Sequence, residues 1–286
     1  MIFDKDNILM DNDILELEGI EQARQEQWNT YEHKEVGSVP RVSHILAQCR
    51  PSDWLIQWAA NVGRRKYDYY REKALTVGTI VHEIVDEYLK MKYNMATPGF
   101  IYINKNFEVN YDLVDFEYKE NIFNCVENFK LWEKRLNEMG AYIEEVIGIE
   151  VPIHCPWYGG TVDAILRING AVYLIDFKTS KSISTEYLLQ AASYMWIINN
   201  GYMKDILGDL HIDGIGIIRM EKTHVGTIND LFINDFIPVQ HQMILGYQAC
   251  FGTYLEAYYR TIHTEYITKQ FEYIPENVYP RKENVA

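Results

Sequence analysis

Three side chains able to carry out chemistry, Asp163, Asp176 and Lys178, lie on either side of Asn169-Gly170. That dipeptide between two runs of β-forming residues predicts a two-residue hairpin turn, because both turn positions require positive φ. In that register Asp163 faces Asp176, and strand alternation puts Lys178 on the same face as Asp176. Two carboxylates placed together repel each other, so this arrangement requires a cation. A paired carboxylate site beside a lysine in an apolar sheet indicates a functional site.

The two predicted strands run over Thr161–Ile168 and Ala171–Lys178. On the face away from the carboxylates, the pairs expected from the turn are Val162 with Phe177, Ala164 with Ile175, and Leu166 with Tyr173. The carboxylate face is also apolar at its other positions. A hairpin that is apolar on both faces is predicted to lie inside a sheet covered on both sides.

A helix is predicted over residues 184–199, just after the hairpin. Ser184 suits its N-cap, and Asn200-Gly201 provides a stop signal. Gln190 and Tyr194 share one face of this helix, because they are four residues apart. They either contribute to a site or pack on the sheet.

The remaining long elements are read from hydrophobic periodicity. Helical patterns cover residues 54–90, 121–139 and 239–262, a short helix is expected over residues 39–46, and strands are expected over residues 141–153 and 213–220. The helix over residues 121–139 is predicted to be a core helix without chemistry. Residues 98–118 form a polar, aromatic insertion of undefined form.

Basic and aromatic side chains alternate in the predicted helix over residues 54–90. The bases are Arg64, Arg65, Lys66, Arg71 and Lys73, and the interleaved aromatic residues are Tyr67, Tyr69 and Tyr70. Such a mixture suits a single-stranded DNA backbone with stacked bases. The alternative is a solvated helix face whose tyrosines pack inward.

The composition is that of a globular protein with a formal net charge of −14 over 286 residues. Residues 1–36 hold ten acids and three bases, so this segment carries half of the net charge. It is predicted to be an arm without a catalytic role, either a short helix, a flexible segment or a docking segment. An acidic protein can still bind DNA if the binding groove itself is positive.

The order of four short motifs resembles a known nuclease family. The motifs are Gly78–His82 (GTIVH), Gly159–Asp163 (GGTVD), Ile175–Lys181 (IDFKTSK) and Gln190–Tyr194 (QAASY). Together they resemble the RecB-type nuclease branch of the PD-(D/E)xK superfamily. Residues 39–46 (VPRVSHIL), followed by Trp58 and Gly63, are similar to the N-terminal region of phage-type and mitochondrial genome-maintenance exonucleases. The resemblance covers roughly residues 39–220.

This resemblance implies an α/β protein with a restriction-endonuclease-like α/β/α core, in which helices flank a central mixed sheet, and an N-terminal helical elaboration. The implied division is an acidic arm at residues 1–36 and a nuclease domain at 37–286, with a helical part (37–140), a catalytic core (141–222) and a C-terminal helix and tail (223–286).

The resemblance also assigns roles to individual residues. Asp163, Asp176, Lys178, Gln190 and Tyr194 would be catalytic, and Arg64, Arg65, Lys66, Arg71 and Lys181 would contact DNA. The metal ligands would be His82, Glu150, Asp163, Asp176 and the Phe177 backbone carbonyl, with Asp86 holding the second ring nitrogen of His82. For His82 the alternative is a structural histidine, and for Glu150 a solvated strand residue. The hard oxygen ligands suit Mg²⁺ or Mn²⁺.

The four cysteines are scattered without a C-x-x-C pair, so reduced thiols are expected. Some RecB-type nucleases hold an iron–sulfur cluster with one early cysteine and three clustered late ones, but only Cys250 lies late in this chain, so no iron–sulfur cluster is expected. The implied activity is metal-dependent exonuclease hydrolysis of DNA from its ends, with single-stranded DNA preferred, in replication, recombination or repair. The alternatives are a sequence- or structure-selective endonuclease and a catalytically silent DNA-binding subunit. No membrane association is expected. The expected location is the cytoplasm of a bacterium or a phage-infected host, with a separate replication or recombination protein as a candidate partner.

Overall fold

The computed structural model describes residues 30–33, 37–50, 53–93, 95 and 99–272. Within them, the N-terminal part of the chain forms a short hairpin, four α-helices and a 3₁₀ helix over Tyr111–Leu113. These elements are β1 (Thr30–His33), β2 (Gly37–Pro40), α1 (Val42–Cys49), α2 (Asp53–Val62), α3 (Arg64–Lys92) and α4 (Phe116–Glu138). Residues 1–29 and 34–36 of the predicted arm lie outside the described residues. β1 pairs with β2, so strand pairing crosses the predicted boundary at residue 36.

The rest of the described chain builds a five-stranded sheet and its C-terminal helices. The elements are β3 (Ile143–His154), β4 (Gly159–Ile168), β5 (Ala171–Lys178), α5 (Thr185–Asn199), α6 (Lys204–Leu207), β6 (Gly214–Met220), β7 (Ile228–Asn234) and α7 (Pro238–Glu272). The strand order is β3-β4-β5-β6-β7, with β5 and β6 parallel and all other neighbours antiparallel. The predicted α/β class with a mixed sheet flanked by helices is confirmed. β7 was not predicted, and it extends the sheet beyond residue 222.

Several helix boundaries differ from the sequence prediction for local reasons. Gly63, at φ +79°, ends α2 and divides the predicted helix over residues 54–90 into two helices. α1 begins at Val42, because the residues before it pair in β2. α4 begins before residue 121, where the Asp115 side chain accepts a hydrogen bond from the backbone N–H of Glu117. Ser184 occupies the N-cap of α5 without making the side-chain hydrogen bond expected of it.

The hairpin between β4 and β5 has the predicted turn. Asn169 and Gly170 have φ of +47° and +80°, and the paired residues run from Ile168–Ala171 to Ala164–Ile175. The ladder ends there, one pair short of Asp163 and Asp176. The register prediction is therefore confirmed up to the charged residues.

Two hydrophobic clusters cover the two faces of the sheet. One lies between the sheet and α1, α5 and α7, and it includes Ile165, Leu174 and Ile217. The other lies between the sheet and α3 and α4, and it includes Leu166 and Phe177. The sheet is thus the middle of three layers, as strands that are apolar on both faces require. Among the described residues, no helix combines the length and the apolar character that a membrane crossing requires.

Close to the predicted site, the apolar side chains of both β3 and β4 switch from one face of the sheet to the other. Ile149 and Ala164 are paired and pack on the side of α3 and α4, whereas the pair Val151 and Val162 packs on the opposite side. Residues two apart in a regular strand point the same way, so both strands are irregular between these pairs. The predicted face of Val162 is therefore wrong.

Candidate metal centre

The candidate centre is built around the point where β3 and β4 change face. Glu150 and Asp163 occupy the positions between the two flanking pairs, and Glu150 has φ of +50°. A left-handed backbone conformation turns the chain at one residue, which accounts for the switch in β3. The switch places a carboxylate from each strand at the same level of the sheet.

Asp163 is held by the neighbouring strand. Its Oδ2 accepts a hydrogen bond of 2.7 Å from the backbone N–H of Phe177. This bond replaces a rung of the β4–β5 ladder, which has already ended at Ala164 and Ile175. The Asp163 carboxylate is therefore held by the backbone of β5, the strand that carries Asp176 and Lys178.

Asp176 and Lys178 form a short ion pair at the end of β5. Lys178 Nζ donates to Asp176 Oδ1 at 2.6 Å, and both side chains are largely buried. Asp176 Oδ2 is also buried, and it has no hydrogen-bond partner among the described residues. The Lys178 ammonium lies 5.0 Å from the ring centre of Tyr187 on α5, within cation–π range.

His82 approaches the same point from α3. Its Nε2 is 3.0 Å from the Phe177 carbonyl oxygen, and its Nδ1 is 3.9 Å from Asp163 Oδ2. Because a carbonyl oxygen only accepts hydrogen bonds, Nε2 carries the ring hydrogen and Nδ1 keeps its lone pair. Burial and the Lys178 ammonium lower the pKa of His82, so its imidazole is neutral near pH 7.

The ligand atoms of His82, Glu150 and Asp163 lie within 4.8 Å of one another. Burial raises the pKa of Asp163, although Lys178 and the Phe177 N–H act in the opposite direction. Burial and Asp163 raise the pKa of Glu150. Both directions are those expected when carboxylates lie close together, although Glu150 itself is exposed to solvent.

The pKa of Asp176 is raised for similar reasons. Burial raises its pKa to about 6, with Asp163 acting in the same direction and Lys178 opposing it. Burial also disfavours the Lys178 ammonium, but Asp176 and Asp163 together raise the pKa of Lys178 above its ordinary value. Lys178 is therefore charged at neutral pH and faces two carboxylates.

The structure thus brings together six predicted positions: His82, Glu150, Asp163, Asp176, the Phe177 carbonyl and Lys178. No protein-family model matches the chain, and no curated protein matches it. The Phe177 carbonyl accepts from His82 and has a second lone pair, so its role as a metal ligand stays a prediction.

Gln190 and Tyr194 interact with each other, as their spacing on α5 predicts. Gln190 Nε2 donates to Tyr194 Oη at 3.0 Å. Tyr194 is 4% exposed, and a Cβ on Gly160 would overlap its hydroxyl. The tyrosine therefore packs tightly on the glycine pair that begins β4, which explains why residue 160 lacks a side chain.

The predicted DNA-contacting bases are exposed but lie away from this cluster. Arg64, Arg65, Lys66 and Arg71 occupy the first part of α3, where burial in the core begins only at Val77. At 1.5 Å per residue, Arg71 lies about 16 Å along the helix from His82, and Arg64 about 27 Å. Lys181 is exposed in the loop after β5.

Two neighbours of the cluster were missed from the sequence. Tyr187 lies three residues before Gln190 on α5, a helical spacing that could have indicated it. Arg219 is paired in register with Lys178 and donates to the Ser180 carbonyl at 3.1 Å. An arginine in the otherwise apolar strand GIGIIRM was the available signal.

The predicted contact between Asp86 and a ring nitrogen of His82 is wrong. Both ring nitrogens of His82 are directed at other groups, the Phe177 carbonyl and Asp163. Asp86 is nevertheless buried one helical turn from His82.

Proposed function

We propose that this chain is a metal-dependent nuclease of the RecB type in the PD-(D/E)xK superfamily, with a restriction-endonuclease-like core, that hydrolyses DNA from its ends. The order of elements supports this fold assignment. An antiparallel β3-β4-β5 unit is followed by a helical crossover to the parallel strand β6, and the acidic motif residues lie on β4 and β5.

The observation that carries the proposal is the convergence of His82, Glu150 and Asp163 next to the Asp176–Lys178 pair. Carboxylate oxygens and an imidazole are suitable ligands for Mg²⁺ or Mn²⁺. The buried Asp176 Oδ2 without a hydrogen-bond partner also fits a cation, because a buried charged oxygen is costly unless it is paired.

A bound divalent cation would polarise the scissile phosphate and lower the pKa of a water molecule. The protein residues would supply the rest. His82 offers the Nδ1 lone pair, because Nε2 is held by the Phe177 carbonyl. Lys178 would orient the attacking water and offset negative charge that develops on the phosphate. Asp176 keeps the lysine in place through their 2.6 Å contact.

The first part of α3, together with α2, supports single-stranded DNA as the preferred substrate. Trp58 on α2 lies 5.8 Å and 5.9 Å, centre to centre, from the rings of Tyr67 and Tyr70. Tyr69 and Tyr70 are about half exposed beside the arginines of α3. Aromatic rings next to basic side chains favour unpaired nucleotides, because the nucleobases of a single strand can stack on the rings.

The test is digestion of end-labelled linear single- and double-stranded DNA, and of a circular single strand, in Mg²⁺, Mn²⁺ or EDTA. The wild type is compared with Asp176→Asn and Lys178→Met, which preserve side-chain size. Lys134→Met is the control, because Lys134 is an exposed lysine on α4.

We expect metal-dependent loss of the linear substrates only, and a reduction of at least about 100-fold in both site variants. Cleavage of the circle would instead identify an endonuclease. Binding of DNA without any cleavage, in every metal, would identify a catalytically silent subunit.

A further inference from the structure

Two loops begin side by side where β5 and β6 end. They are the β5–α5 loop (residues 179–183) and the β6–β7 loop (residues 221–227). The two strands are parallel, and Lys178 is paired in register with Arg219, so both loops leave the same edge of the sheet. The residues before this pair pack toward α3 and α4, so strand alternation puts Lys178 and Arg219 together on the opposite face. The β6–β7 loop therefore starts one strand away from the proposed catalytic lysine.

One buried guanidinium joins the two loops. Arg219 is 7% exposed, and its Nη1 donates to the Ser180 carbonyl at 3.1 Å and to Glu221 Oε2 at 2.6 Å. Glu221 Oε1 accepts from the backbone N–H of Thr223. The β6–β7 loop is thus fixed to the β5–α5 loop, and the one acid in its sequence, EKTHVGT, is paired with Arg219.

Asparagines of α4 hold the β6–β7 loop from inside the protein. Asn121 and Asn124 both donate to the Lys222 carbonyl, at 3.0 Å and 3.2 Å. Asn128 donates to two further carbonyls of the loop and accepts from one of its N–H groups, each at 2.8 Å. Asn124 and Asn128 are 7% and 2% exposed, so buried amides are used to fix the backbone of a surface loop.

A chain of side-chain hydrogen bonds holds the outer side of the same loop. Because a carboxylate only accepts hydrogen bonds, the Thr223 hydroxyl donates to Glu221 at 2.9 Å. His224 Nδ1 lies 3.1 Å from the Thr223 hydroxyl oxygen, and His224 Nε2 lies 2.6 Å from the Thr227 hydroxyl oxygen. The loop is therefore ordered before any partner binds, which reduces the entropy cost of binding.

Both loops carry a lysine that is not neutralised by an acid. Lys181 is exposed and Lys222 is half-exposed, and neither forms an ion pair with any described residue. By contrast, six other lysines outside the candidate centre lie within 4.0 Å of a carboxylate oxygen: Lys73, Lys92, Lys119, Lys130, Lys134 and Lys204. Together with Arg219 and Lys178, these two lysines make one edge of the sheet a local cationic surface in an acidic chain.

We propose that the β6–β7 loop binds the phosphate backbone of the DNA strand at the candidate centre, with Lys222 as a direct phosphate contact and Lys181 as a second contact on the neighbouring loop. This inference rests on the proposed function in taking DNA as the substrate. Lysines on adjacent loops suit a polymer with repeated negative charges, because each ammonium can neutralise one phosphate. Arg219 and Asn128 are positioning residues, since they act through the loop backbone.

The test is fluorescence anisotropy of the full chain with a labelled DNA single strand in EDTA, at several salt concentrations. Lys222→Ala should bind more weakly, and its slope of log affinity against log salt should fall by about 0.7, the value for one phosphate contact. Lys181→Ala/Lys222→Ala should lower the slope by about 1.4. Lys105→Ala is the matched control, because Lys105 is also exposed and forms no ion pair with a described residue. Val225→Ala changes the same loop without removing charge.

Two further measurements separate DNA contact from a merely structural role. In steady-state digestion with Mn²⁺, the loss of kcat/KM in Lys222→Ala should be mostly an increase in KM, because the lysine binds substrate away from the reacting atoms. Asn128→Ala should bind the single strand more weakly with an unchanged salt slope, since it removes no charge and only loosens the loop. The lysine variants alter surface side chains, so they test the contact even if Asn128→Ala does not fold.

Failure of this inference differs from failure of the proposed function. If the wild type digests DNA and Lys222→Ala has the affinity and salt slope of Lys105→Ala, the loop assignment is overturned and the nuclease proposal stands. If the wild type binds the single strand through Lys222 but cleaves no DNA in any metal, the loop assignment stands and the nuclease proposal fails. A wild type that binds no DNA would contradict both.

Discussion

Glu150 combines a candidate metal-binding carboxylate with a strained backbone. Its φ of +50° lies in the left-handed region, which costs a residue with a Cβ about 1–2 kcal/mol. The same conformation switches the inward face of β3 and aligns Glu150 with Asp163. Strain that persists at one residue and places a charged group in a cluster is typical of functional sites.

Replacing Glu150 with glycine should separate the strain from the chemistry. We expect Glu150→Gly to be as stable as the wild type or up to about 1 kcal/mol more stable in EDTA, because glycine adopts positive φ without strain. Glu150→Gln keeps the strain, and both variants lose the carboxylate and should bind Mn²⁺ more weakly. Urea unfolding and Mn²⁺ titration provide the two measurements. Glu150→Gly that is clearly less stable than Glu150→Gln would contradict the strain argument.

Among the strands and helices, the sequence predicts the features that depend on residues close together in the chain. The turn at Asn169-Gly170 follows from its positive φ values, and the register that it sets holds as far as Ala164 and Ile175. The change of face at Glu150 cannot be predicted from the alternation of side chains along a regular strand. β7 was missed because most of its residues are only half-buried and its sequence, INDLFIN, mixes polar and apolar positions.

The residues of the candidate site also fall into two groups, those whose positions the sequence predicts and those whose positions it does not. The D…D-x-K positions can be located from the hairpin because the turn fixes their spacing. The positions of His82 and Asp86 relative to the sheet depend on how α3 packs across residues distant in sequence. For that reason the sequence could suggest a role for Asp86 only as a partner of His82, and that role was wrong.

The loop after β6 is held by a buried ion pair that makes stability depend on pH. Arg219 contacts Glu221 at 2.6 Å, and both side chains are largely buried. Burial acts to raise the pKa of Glu221, but hydrogen bonds from Arg219 and Thr223 lower it from 4.5 to about 2. Arg219 also donates to the Ser180 carbonyl, so the pair supports the loop after Lys178.

Because the folded-state pKa is depressed, the stabilisation from Glu221 is present above pH 4.5 and is lost as the pH falls toward 2. Glu221→Gln should therefore be less stable than the wild type at pH 7, and the difference should shrink at low pH. Guanidinium unfolding midpoints between pH 7 and 3 measure this. Glu145→Gln, from an exposed pair with Arg167, should show little difference. A Glu221→Gln difference that stays constant with pH would contradict the assigned cause.

At the scale of the whole protein, the chain is acidic, so DNA binding would require a local basic surface. The net charge is −14, yet residues 64–73 of α3 carry five bases and two acids. This segment extends α3 beyond the part buried in the core, and the same helix carries His82. A continuous helix therefore connects a local basic surface to the candidate centre.

Removing bases from that surface should weaken DNA binding and reduce its salt dependence. For Arg64→Ala/Arg65→Ala/Arg71→Ala, the slope of log affinity against log salt should fall by about 0.7 for each phosphate that the variant no longer neutralises. Fluorescence anisotropy with a labelled single strand in EDTA measures the slope without hydrolysis. Lys134→Ala is the control for removal of an exposed base elsewhere. An unchanged slope in the triple variant would exclude this surface as the DNA-binding site.

The central claim is that His82, Glu150 and Asp163 hold a catalytic divalent cation, and crystals grown with Mn²⁺ test it most directly. We expect an anomalous-scattering peak within coordination distance of all three side chains. We also expect the peak to disappear in Asp163→Asn. A protein that digests DNA in Mn²⁺ while showing its only peak at another position would contradict the claim.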